Sequence, residues 1–333
     1  MSRNDHITQT ESIDIVKRRD ILLSSIAAAL GGAVHAQQGN APVRILVGAP
    51  AGGSTDTLAR QLAIGMGPAL GRTVIVENRP GAGGNIAAEL VARAAPDGNT
   101  LLMSFTSHAI NATLYPSQPF DPVKDFTALT LVATSPSVLV AHPSVPANNV
   151  RELIALAKAR PGQLNFAIGS VGSSLHMAGE AFKMQAGVDI VNIPYKGTAP
   201  AVQDVLAGQV QLMFAAVGNV QPHIQAGKLK ALGVTSAKRL PAFPDVPAIA
   251  EVLPGYESSA WFGLFGPARM APELARRISD AARKAIGQPE MQRRLEAEGA
   301  IPVGNSPEQF GPFVQSEIKR WGKVVKFSGA RPE

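Results

Sequence analysis

Hydrophobic and polar positions alternate along the chain in a way that predicts strands followed by helices. Residues 43–47 are an apolar run typical of a buried strand, residues 48–56 are small or polar, and apolar residues then recur at helical spacing from Leu58. The same order of strand, small-residue loop and helix returns at 164–184. Because strands that alternate with helices form parallel sheets covered by helices, the sequence predicts an α/β fold.

The pattern also predicts where the chain passes between two lobes. A long β-rich run at 127–140 is interrupted by a Ser-Pro pair, as expected for a strand that leaves one lobe for another, and 230–235 is the candidate for the strand that returns. Two helices, at 272–286 and 307–326, are predicted to close the chain. Further strands are predicted at 74–76, 100–105, 188–193, 208–214 and 255–265, and further helices at 86–94, 106–115, 150–159, 201–207 and 220–224.

Two glycine- and serine-rich loops, residues 48–56 (the first loop) and 169–174 (the second loop), are the strongest candidates for binding chemistry. Each follows a predicted strand and begins a predicted helix, where N–H groups without partners and the positive end of the helix dipole favour an anion. Binding crevices in such sheets lie at the carboxyl ends of strands, where Ser54, Thr106 and Ser107 are expected. The two loops predict two lobes facing one cleft, and a ligand with two acceptor ends such as a dicarboxylate.

Two nucleotide-binding motifs are excluded, each by a single residue that does not fit the motif. Gly48 and Gly53 have the spacing of a P-loop, but Ser54 stands where that motif needs its lysine. The run 81–86 begins like a dinucleotide-binding fingerprint but ends in Ile86, where that fingerprint needs its third glycine. The sequence therefore argues against nucleotide chemistry.

The composition excludes some classes of binding partner and some kinds of chemical site. The chain has 333 residues, a net charge of +6, 5% aromatic residues and no cysteine. The positive charge is spread along the chain without the basic stripe and aromatic platforms typical of nucleic-acid binding, so no nucleic-acid partner is expected. The absence of cysteine excludes disulfides, thiolate metal sites and thiol nucleophiles. No cofactor and no metal site are expected.

The N-terminal segment predicts export. The apolar run 21–34 follows three consecutive basic residues and ends in a Val-His-Ala sequence typical of a signal-peptide cleavage site. The run is shorter than the ~20 apolar residues of a membrane-spanning helix. We therefore predict a cleavable signal peptide at 1–36 and a periplasmic product that starts near Gln37. The paired arginines also resemble a twin-arginine signal, and the sequence leaves that route and general secretion both open.

Several segments together resemble one protein family. Residues 49–60 contain Ala-Pro-Ala-Gly-Gly-Ser-Thr-Asp, 76–84 read Val-Glu-Asn-Arg-Pro-Gly-Ala-Gly-Gly, 95–102 read Ala-Pro-Asp-Gly-Asn-Thr-Leu-Leu, and 193–200 read Ile-Pro-Tyr-Lys-Gly-Thr-Ala-Pro. The set is similar to the periplasmic substrate-binding proteins of tripartite tricarboxylate transporters, also called Bug receptors. This resemblance implies a type II periplasmic-binding fold, a two-lobed Venus flytrap in which each lobe is a mostly parallel sheet flanked by helices.

The resemblance implies a receptor and not an enzyme. Such a receptor captures a small carboxylated solute and delivers it to a membrane permease, and it is expected to be a monomer. Lobe 1 would comprise 41–136 and 235–333, and lobe 2 would comprise 137–234. In this family backbone amides and water bridges hold the carboxylate without an arginine clamp. The ligand contacts implied for this sequence are Ala51, Gly52, Gly53, Ser54 and Asp56 in the first loop, Ser170, Gly172, Ser173, Ser174 and His176 in and after the second loop, and Thr106, His108 and Tyr195 elsewhere.

Three residues refine these expectations. A carboxylate at Asp56 would repel a carboxylate ligand, so we expect Asp56 to cap the helix, to orient the loop, or to meet an amino or hydroxyl group of the ligand. Ala215 and Ala216 stand where members of the family often carry an Asp-Asn pair. Their presence favours a simple carboxylate over an amino acid as the ligand.

Two other functions stay open from the sequence. An exported hydrolase needs an activated nucleophile, and the sequence has neither a Gly-x-Ser-x-Gly elbow nor a His-Glu-x-x-His motif, although Ser174 and His176 leave a two-residue relay available. A ligand-sensing partner of a membrane kinase would have the same fold as a transport receptor, so the sequence does not separate these two.

Overall fold

The computed structural model describes residues 41–332, and the predicted signal peptide at 1–36 lies outside this range. The fold below is that of residues 43–332. Its strands are β1 Val43–Val47, β2 Val74–Asn78, β3 Thr100–Phe105, β4 Phe126–Ala141, β5 Asn165–Ile168, β6 Val191–Pro194, β7 Leu212–Ala216, β8 Lys230–Val234, β9 Ser259–Pro267 and β10 Ile301–Pro302. Its α-helices are α1 Ser54–Leu70, α2 Asn85–Ala92, α3 Ser107–Leu114, α4 Val150–Ala159, α5 Ser174–Ala186, α6 Thr198–Leu206, α7 Val217–Gln225, α8 Pro272–Ile286, α9 Pro289–Ala297 and α10 Pro307–Ser328.

The strands form a mixed sheet in the order β2-β1-β3-β9-β4-β7-β5-β6, with β8 and β10 also paired to β4. Strand β1 runs parallel to β2 and β3, and β5 runs parallel to β6 and β7. The strands β4 and β9 in the middle of the sheet pair antiparallel to their neighbours. The α/β fold is confirmed, and parallel strands occur in both halves, but the antiparallel central strands make the sheet mixed.

Strand β4 belongs to both halves of the sheet. Its residues 126–136 pair with β9, whereas its residues 137–141 pair with β7 and β8. The change falls at the Ser-Pro pair, where the sequence predicts a strand that passes from one lobe to the other. We call the half with β1, β2, β3 and β9 lobe 1, and the half with β5 to β8 lobe 2.

Helices cover both faces of each half and bury an apolar core beneath them. In lobe 1 one core lies under α1 and α8, and a second lies under α3 and α10, with Trp261 and Phe310 among its largest side chains. In lobe 2 the corresponding cores contain Phe166 and Phe182 on one face and Val202 and Met213 on the other. Each half thus has layers of helix on sheet, and Met177 of α5 in lobe 2 is also buried in the core of lobe 1 that contains Trp261 and Phe310.

The segment between β8 and β9 packs against lobe 2. Leu240, Phe243 and Ala248 join one core of lobe 2, and Ile249 and Tyr256 join the other. The sequence predicts a return to lobe 1 directly after β8, so this segment is a correction. Its prolines interrupt the periodicity of the apolar side chains that anchor it, so the sequence pattern does not show which lobe it packs against.

Three helices, α8, α9 and α10, close the chain instead of the two that the sequence predicts. The unpredicted helix α9 is short, and only Met291 and Leu295 of its side chains are buried. Two apolar positions in nine residues give too little periodicity to identify a helix. Within residues 41–332 no helix has the length and apolar character needed to cross a membrane.

Candidate ligand-binding cleft

The two predicted loops have matching backbone hydrogen bonds at the carboxyl ends of β1 and β5. In the first loop the Gly52 N–H donates to Asp56 Oδ2 at 2.8 Å, and in the second loop the Gly172 N–H donates to His176 Nδ1 at 3.0 Å. Both glycines have positive φ, +84° and +74°, a region that disfavours residues with a Cβ. In each loop a side chain of the first helical turn thus holds the glycine four residues before it.

Asp56 orients the first loop, and its carboxylate accepts hydrogen bonds from several groups of the protein. Its side chain is buried, and its carboxylate also accepts hydrogen bonds from Arg60 and from Asn78 Nδ2. Burial alone would raise the pKa of Asp56, but the hydrogen bonds from Arg60, the Gly52 N–H and Asn78 outweigh it and hold that pKa below its usual range. Of the roles expected for Asp56, the geometry supports orientation of the loop.

A cavity of about 380 Å³ lies at this edge of the sheet, between elements of both lobes. Lobe 2 contributes residues 170–173 of the second loop, and lobe 1 contributes α3 and a turn at residues 81–84, which we call the glycine turn. None of the described residues that line the cavity is charged. The described lining residues are Ala82, Gly83, Phe105, Ser107, Asn111, Leu114, Tyr115, Ser170, Val171, Gly172, Ser173 and Pro332.

The cavity combines neutral hydrogen-bond donors with apolar walls. Helices α3 and α5 both begin beside it. The Thr106 side chain at the N-cap of α3 makes no capping hydrogen bond, whereas the Ser173 hydroxyl at the N-cap of α5 accepts from the His176 N–H. Ser107 and Ser170 bring hydroxyl groups, while Phe105 and Leu114 bring apolar surface. Helix N-termini and hydroxyls favour an anionic group, and the apolar walls favour a hydrocarbon portion beside that group.

Asn111 holds the lobe 1 wall of the cavity in place. It is buried, and its Nδ2 lies 3.3 Å from the Ala82 carbonyl oxygen, 3.2 Å from that of Gly83 and 2.8 Å from Asn85 Oδ1. These contacts fasten the glycine turn to α3. The first loop packs behind this turn at Gly48, whose Cα approaches Gly84 so closely that an added Cβ would lie 2.6 Å from the Gly84 Cα.

The first loop lies at the same edge of the sheet but does not line the cavity. Ala51, Gly52, Gly53 and Ser54 are exposed, and none of them is among the lining residues. The glycine turn, which packs against the base of this loop, provides the lining surface of lobe 1 instead. Of the residues predicted as contacts, Ser170, Gly172 and Ser173 are the ones that reach the cavity wall, together with Ser107, which the sequence places at the sheet edge.

Thr106 and His108 are core residues and not part of the cavity wall. Thr106 Oγ1 accepts a hydrogen bond from the Trp261 N–H at 2.8 Å. The His108 ring stacks on Phe265 with centroids 4.8 Å apart, and its Nε2 donates to the Pro122 carbonyl oxygen at 2.8 Å. Burial lowers the pKa of His108 to about 4, so the ring is neutral at neutral pH. The prediction of these two residues as ligand contacts is corrected because both side chains are already engaged inside lobe 1.

Tyr195 and Ser174 also lie outside the cavity wall. The Tyr195 hydroxyl donates to Asp204 Oδ2 at 2.7 Å, which ties its loop to α6, and burial together with Asp204 raises the pKa of Tyr195 to about 12. Ser174 is the first residue of α5 and is not among the lining residues. Neither hydroxyl is placed to meet a ligand in this cavity.

His176 is buried behind the second loop, where both of its ring nitrogens are engaged. Its Nδ1 accepts from the Gly172 N–H, and its Nε2 faces Asn192 and Glu180. A hydrolytic relay needs a ring nitrogen that can take a proton from a serine hydroxyl. The arrangement therefore offers no activated Ser174. Within the described part of the chain, no group of three or more His, Asp or Glu side chains is placed to share a metal ion.

The sequence reading missed most of the lobe 1 wall. Ala82 and Gly83 follow β2 as the first loop follows β1, so their place at a strand end is the available signal for a position in the cavity wall. Asn111 lies one turn into α3 and Tyr115 directly follows the last residue of α3, and only the orientation of that helix brings them to the cavity. For Pro332, near the C-terminus, the sequence pattern carries no signal.

Comparison with known proteins identifies the family. The sequence model of the tripartite tricarboxylate transporter family receptor matches residues 58–329. The chain belongs to this family. The resemblance described above is thus confirmed, and so is the class that it implies, a receptor and not an enzyme.

Three solved structures place the chain among binding proteins of known fold. Rpa4515 of R. palustris, solved with adipate, is 35% identical with a TM-score of 0.73, and the match covers 88% of this chain and 98% of that one. The periplasmic binding protein BugD is 34% identical with a TM-score of 0.71 over 88% of this chain and 99% of its own. MatC of Rhodopseudomonas palustris, solved with bound malate, is 34% identical with a TM-score of 0.70 over 85% of this chain and 98% of its own.

Proposed function

We propose that this chain captures a small carboxylate between its two lobes and delivers it to the membrane permease of a tripartite tricarboxylate-type transporter. The observation that carries the proposal is the cavity at which α3 of lobe 1 and α5 of lobe 2 both begin, with no charged side chain among its described lining residues. Two similar proteins, Rpa4515 and MatC, were solved with adipate and malate, which are both dicarboxylates. Membership in a transporter-receptor family supports delivery to a permease.

The ligand would be held by neutral donors from both sides. The hydroxyl groups of Ser170 and Ser173 and the first turn of α5 would meet one carboxylate, and Ser107 with the first turn of α3 would meet the other. Phe105 and Leu114 would contact the hydrocarbon chain between them. A helix N-terminus stabilises an anion without a counter-charge, so a lysine or arginine at the cavity is not required.

Binding would work by shifting the population of closed molecules. A ligand that contacts Ser107 on lobe 1 and Ser170 on lobe 2 favours the arrangement in which both contacts exist together. The permease would then recognise that closed arrangement. Contacts from the first loop, at 51–54, and through Asp56 or His176 stay a prediction for the closed form.

The proposal also covers the lobe boundaries, the cellular location and the oligomeric state of the protein. We assign 43–136 and 257–332 to lobe 1 and 137–256 to lobe 2, a division supported by the change of partner strands within β4 and by the packing of Tyr256 in lobe 2. The signal-like sequence at 1–36 and the periplasmic relatives support a periplasmic receptor, which we expect to be a monomer.

The proposal is tested by thermal unfolding of the mature chain, residues 37–333, against a panel of mono-, di- and tricarboxylates, aromatic acids, amino acids and sugars. A ligand at about 100 times its Kd stabilises the folded state by about 2.7 kcal/mol, which raises the Tm by several degrees. We expect a shift with one class of carboxylate. No shift with any acid, together with turnover of an ester or amide, would instead favour the exported hydrolase.

A matched pair of variants tests whether the shift comes from this cavity. Gly172→Arg fills the cavity, whereas Gly187→Arg lies at the far end of α5 where an added Cβ would meet nothing within 4 Å. Both glycines have positive φ, so replacing either one by arginine introduces a similar backbone strain. We expect the ligand-induced shift to disappear in Gly172→Arg and to persist in Gly187→Arg. An unchanged shift in a folded Gly172→Arg protein would refute the site.

A further inference from the structure

Leu114, the last residue of α3 in lobe 1, lies against the second loop of lobe 2. Its side chain approaches Gly172 so closely that a Cβ added at Gly172 would be 2.5 Å from Leu114 Cδ2. Carbon atoms that are not bonded do not approach within 3.0 Å in well-packed proteins. Both residues line the cavity. The leucine therefore occupies space beside the cavity that is open only because residue 172 has no side chain.

Neither partner of this contact is free to move away. Leu114 is 5% exposed and belongs to the core of lobe 1 that contains Trp261 and Phe310, so a rotation of its side chain would disturb that packing. Gly172 has a φ of +74°, and its N–H donates to His176 Nδ1 inside lobe 2. The contact thus joins two fixed points, one on each lobe.

The apolar contact between the lobes continues along α5, the helix that begins at the second loop. Met177 is buried in the same core of lobe 1 as Leu114, and Ala181 and Met184 pack against that core. Residues at this spacing lie on one face of a helix. One face of α5 therefore rests on lobe 1, and the contact of Leu114 with Gly172 is at the end of this face that reaches the cavity.

The first loop has the same backbone geometry without such a contact. Gly52 has a φ of +84°, close to that of Gly172, but a Cβ added there would meet no atom of residues 41–332 within 4 Å. The geometry of the loop alone therefore does not require a close neighbour. The approach of Leu114 is a feature of the way in which the two lobes meet.

We propose that Leu114 is a positioning residue for ligand binding, because its contact with Gly172 sets how closely lobe 2 approaches lobe 1 at the cavity. The inference rests on the proposed function, in which Ser170 and Ser173 contact the ligand from lobe 2 and Ser107 contacts it from lobe 1. A larger residue at 172 holds the lobes apart, and a shorter side chain at 114 removes the support of the second loop. In both cases the ligand contacts from the two lobes no longer form together.

The test exchanges size between the two positions. Gly172→Ala adds the Cβ that meets Leu114, Leu114→Val removes the Cδ2 atom that it would meet, and the double variant carries both changes. Gly187→Ala is the control for backbone strain, since Gly187 also has positive φ but lies at the far end of α5. Leu131→Val is the control for packing, because Leu131 is similarly buried in the same core of lobe 1.

The Kd for adipate is measured by calorimetry for each variant. Gly172→Ala should bind about tenfold more weakly than wild type, as expected for an overpacked contact. Leu114→Val should bind about threefold more weakly, because it loses only dispersion contacts. When Gly172→Ala is already present, the same Leu114→Val change should instead strengthen binding by about fivefold, since the two residues are in contact. The two control variants should bind as wild type does.

The change of sign is the result that a merely structural role would not produce. If the two substitutions acted only by weakening the fold, the double variant would be the weakest binder. A double variant that binds no better than Gly172→Ala would overturn the proposal, because the added methyl group would then obstruct the ligand and not Leu114. Wild-type affinity in both single variants would also overturn it.

The distance between the lobes, measured without ligand, separates this inference from the proposed function. The chain has no cysteine, so cysteines introduced at the exposed Arg79 of lobe 1 and Lys196 of lobe 2 can each carry a spin label. The mean distance between the labels should increase in Gly172→Ala and return toward the wild-type value in the double variant. That result in a protein that binds no acid would refute the function and support the contact. Adipate binding with the same label distance in all variants would refute the contact and leave the function.

Discussion

At the scale of single residues, the site depends on side chains that hold backbone groups in place. Asp56 fixes Gly52, His176 fixes Gly172, and Asn111 fixes the glycine turn at Ala82. All three fixing side chains are buried. The two loops and the glycine turn are therefore formed by small residues and main-chain groups, and larger buried side chains hold them in position.

Replacing Asp56 by asparagine should destabilise the protein at neutral pH. The variant loses an acceptor oxygen and places an NH₂ group against the donors of Arg60, Asn78 and Gly52. We expect a loss of about 1–3 kcal/mol in the free energy of unfolding, measured by urea denaturation. Asp280→Asn is the control, because that carboxylate is exposed and should change stability by less than about 0.5 kcal/mol.

The pH dependence of this variant has a definite sign. Folding lowers the pKa of Asp56, so its contribution is fully present above the ordinary value of 3.8 and is lost as the pH falls through the lower folded value. The stabilities of wild type and Asp56→Asn should therefore converge in acid. A difference between them that is unchanged at acidic pH would show that the carboxylate charge is not what holds the loop.

Replacing Asn111 by aspartate should disrupt the lobe 1 wall. The change puts a carboxylate oxygen where Nδ2 now faces the carbonyl oxygens of Ala82 and Gly83. We expect a loss of about 1–3 kcal/mol in unfolding free energy and a weaker Kd for the ligand, from calorimetry. The exposed Asn219→Asp, on α7, is the matched control for the added charge and should leave both quantities near wild type.

At the scale of elements, the lobes are joined where β4 changes partners. Thr235, directly after β8, accepts the Ser137 N–H on its Oγ1 at 2.8 Å, and its carbonyl oxygen accepts the Ser258 N–H at 2.9 Å. One buried threonine thus links β4, the end of β8 and the approach to β9. These are the segments that any motion of one lobe against the other must involve.

Replacing Thr235 by valine tests this junction. Valine keeps the shape of threonine but leaves the buried Ser137 N–H without its acceptor, which should cost about 1–3 kcal/mol of unfolding free energy in a denaturant titration. Thr100→Val is the control, since Thr100 begins β3 and its side chain has a partly exposed position. Equal stability of the two variants would show that the hydrogen bond at Thr235 does not hold the junction.

Elements with strong local patterns are predictable from the sequence. Helix α8 is found at its predicted bounds because Ala275, Ile278, Ala282 and Ile286 recur at helical spacing and are all buried. The long strand at 127–140 is also confirmed, as β4. By contrast, the position of the segment after β8 depends on which lobe its apolar side chains pack against. No local periodicity in the sequence encodes that choice.

About half of the candidate site is predictable from the sequence. The second loop is recognised because its glycine and serines stand directly before a helix, and three of its predicted residues line the cavity. The first loop has the same local pattern, yet the glycine turn occupies the lining position beside it. That outcome depends on the close packing of Gly48 on Gly84, a contact between segments that lie far apart in the chain.

At the scale of the whole molecule, the fold places two helix N-termini from different lobes at one cavity. The parallel strands β3 and β5 end at this cavity, and the antiparallel strand β4 connects the two halves of the sheet that carry them. A solute between the lobes would therefore touch both. The proposed closure of the two lobes on a bound solute depends on this arrangement.

The most direct test compares a dicarboxylate with its neutral diamide by calorimetric titration of the mature chain. Adipate and adipamide have the same carbon chain, but only adipate carries the anionic ends that helix N-termini favour. Adipate is the first probe, followed by the carboxylate that gives the largest shift in the unfolding panel. We predict that this carboxylate binds and that its diamide does not bind measurably. Equal affinity for acid and diamide, or no binding of any acid in the panel, would contradict the account.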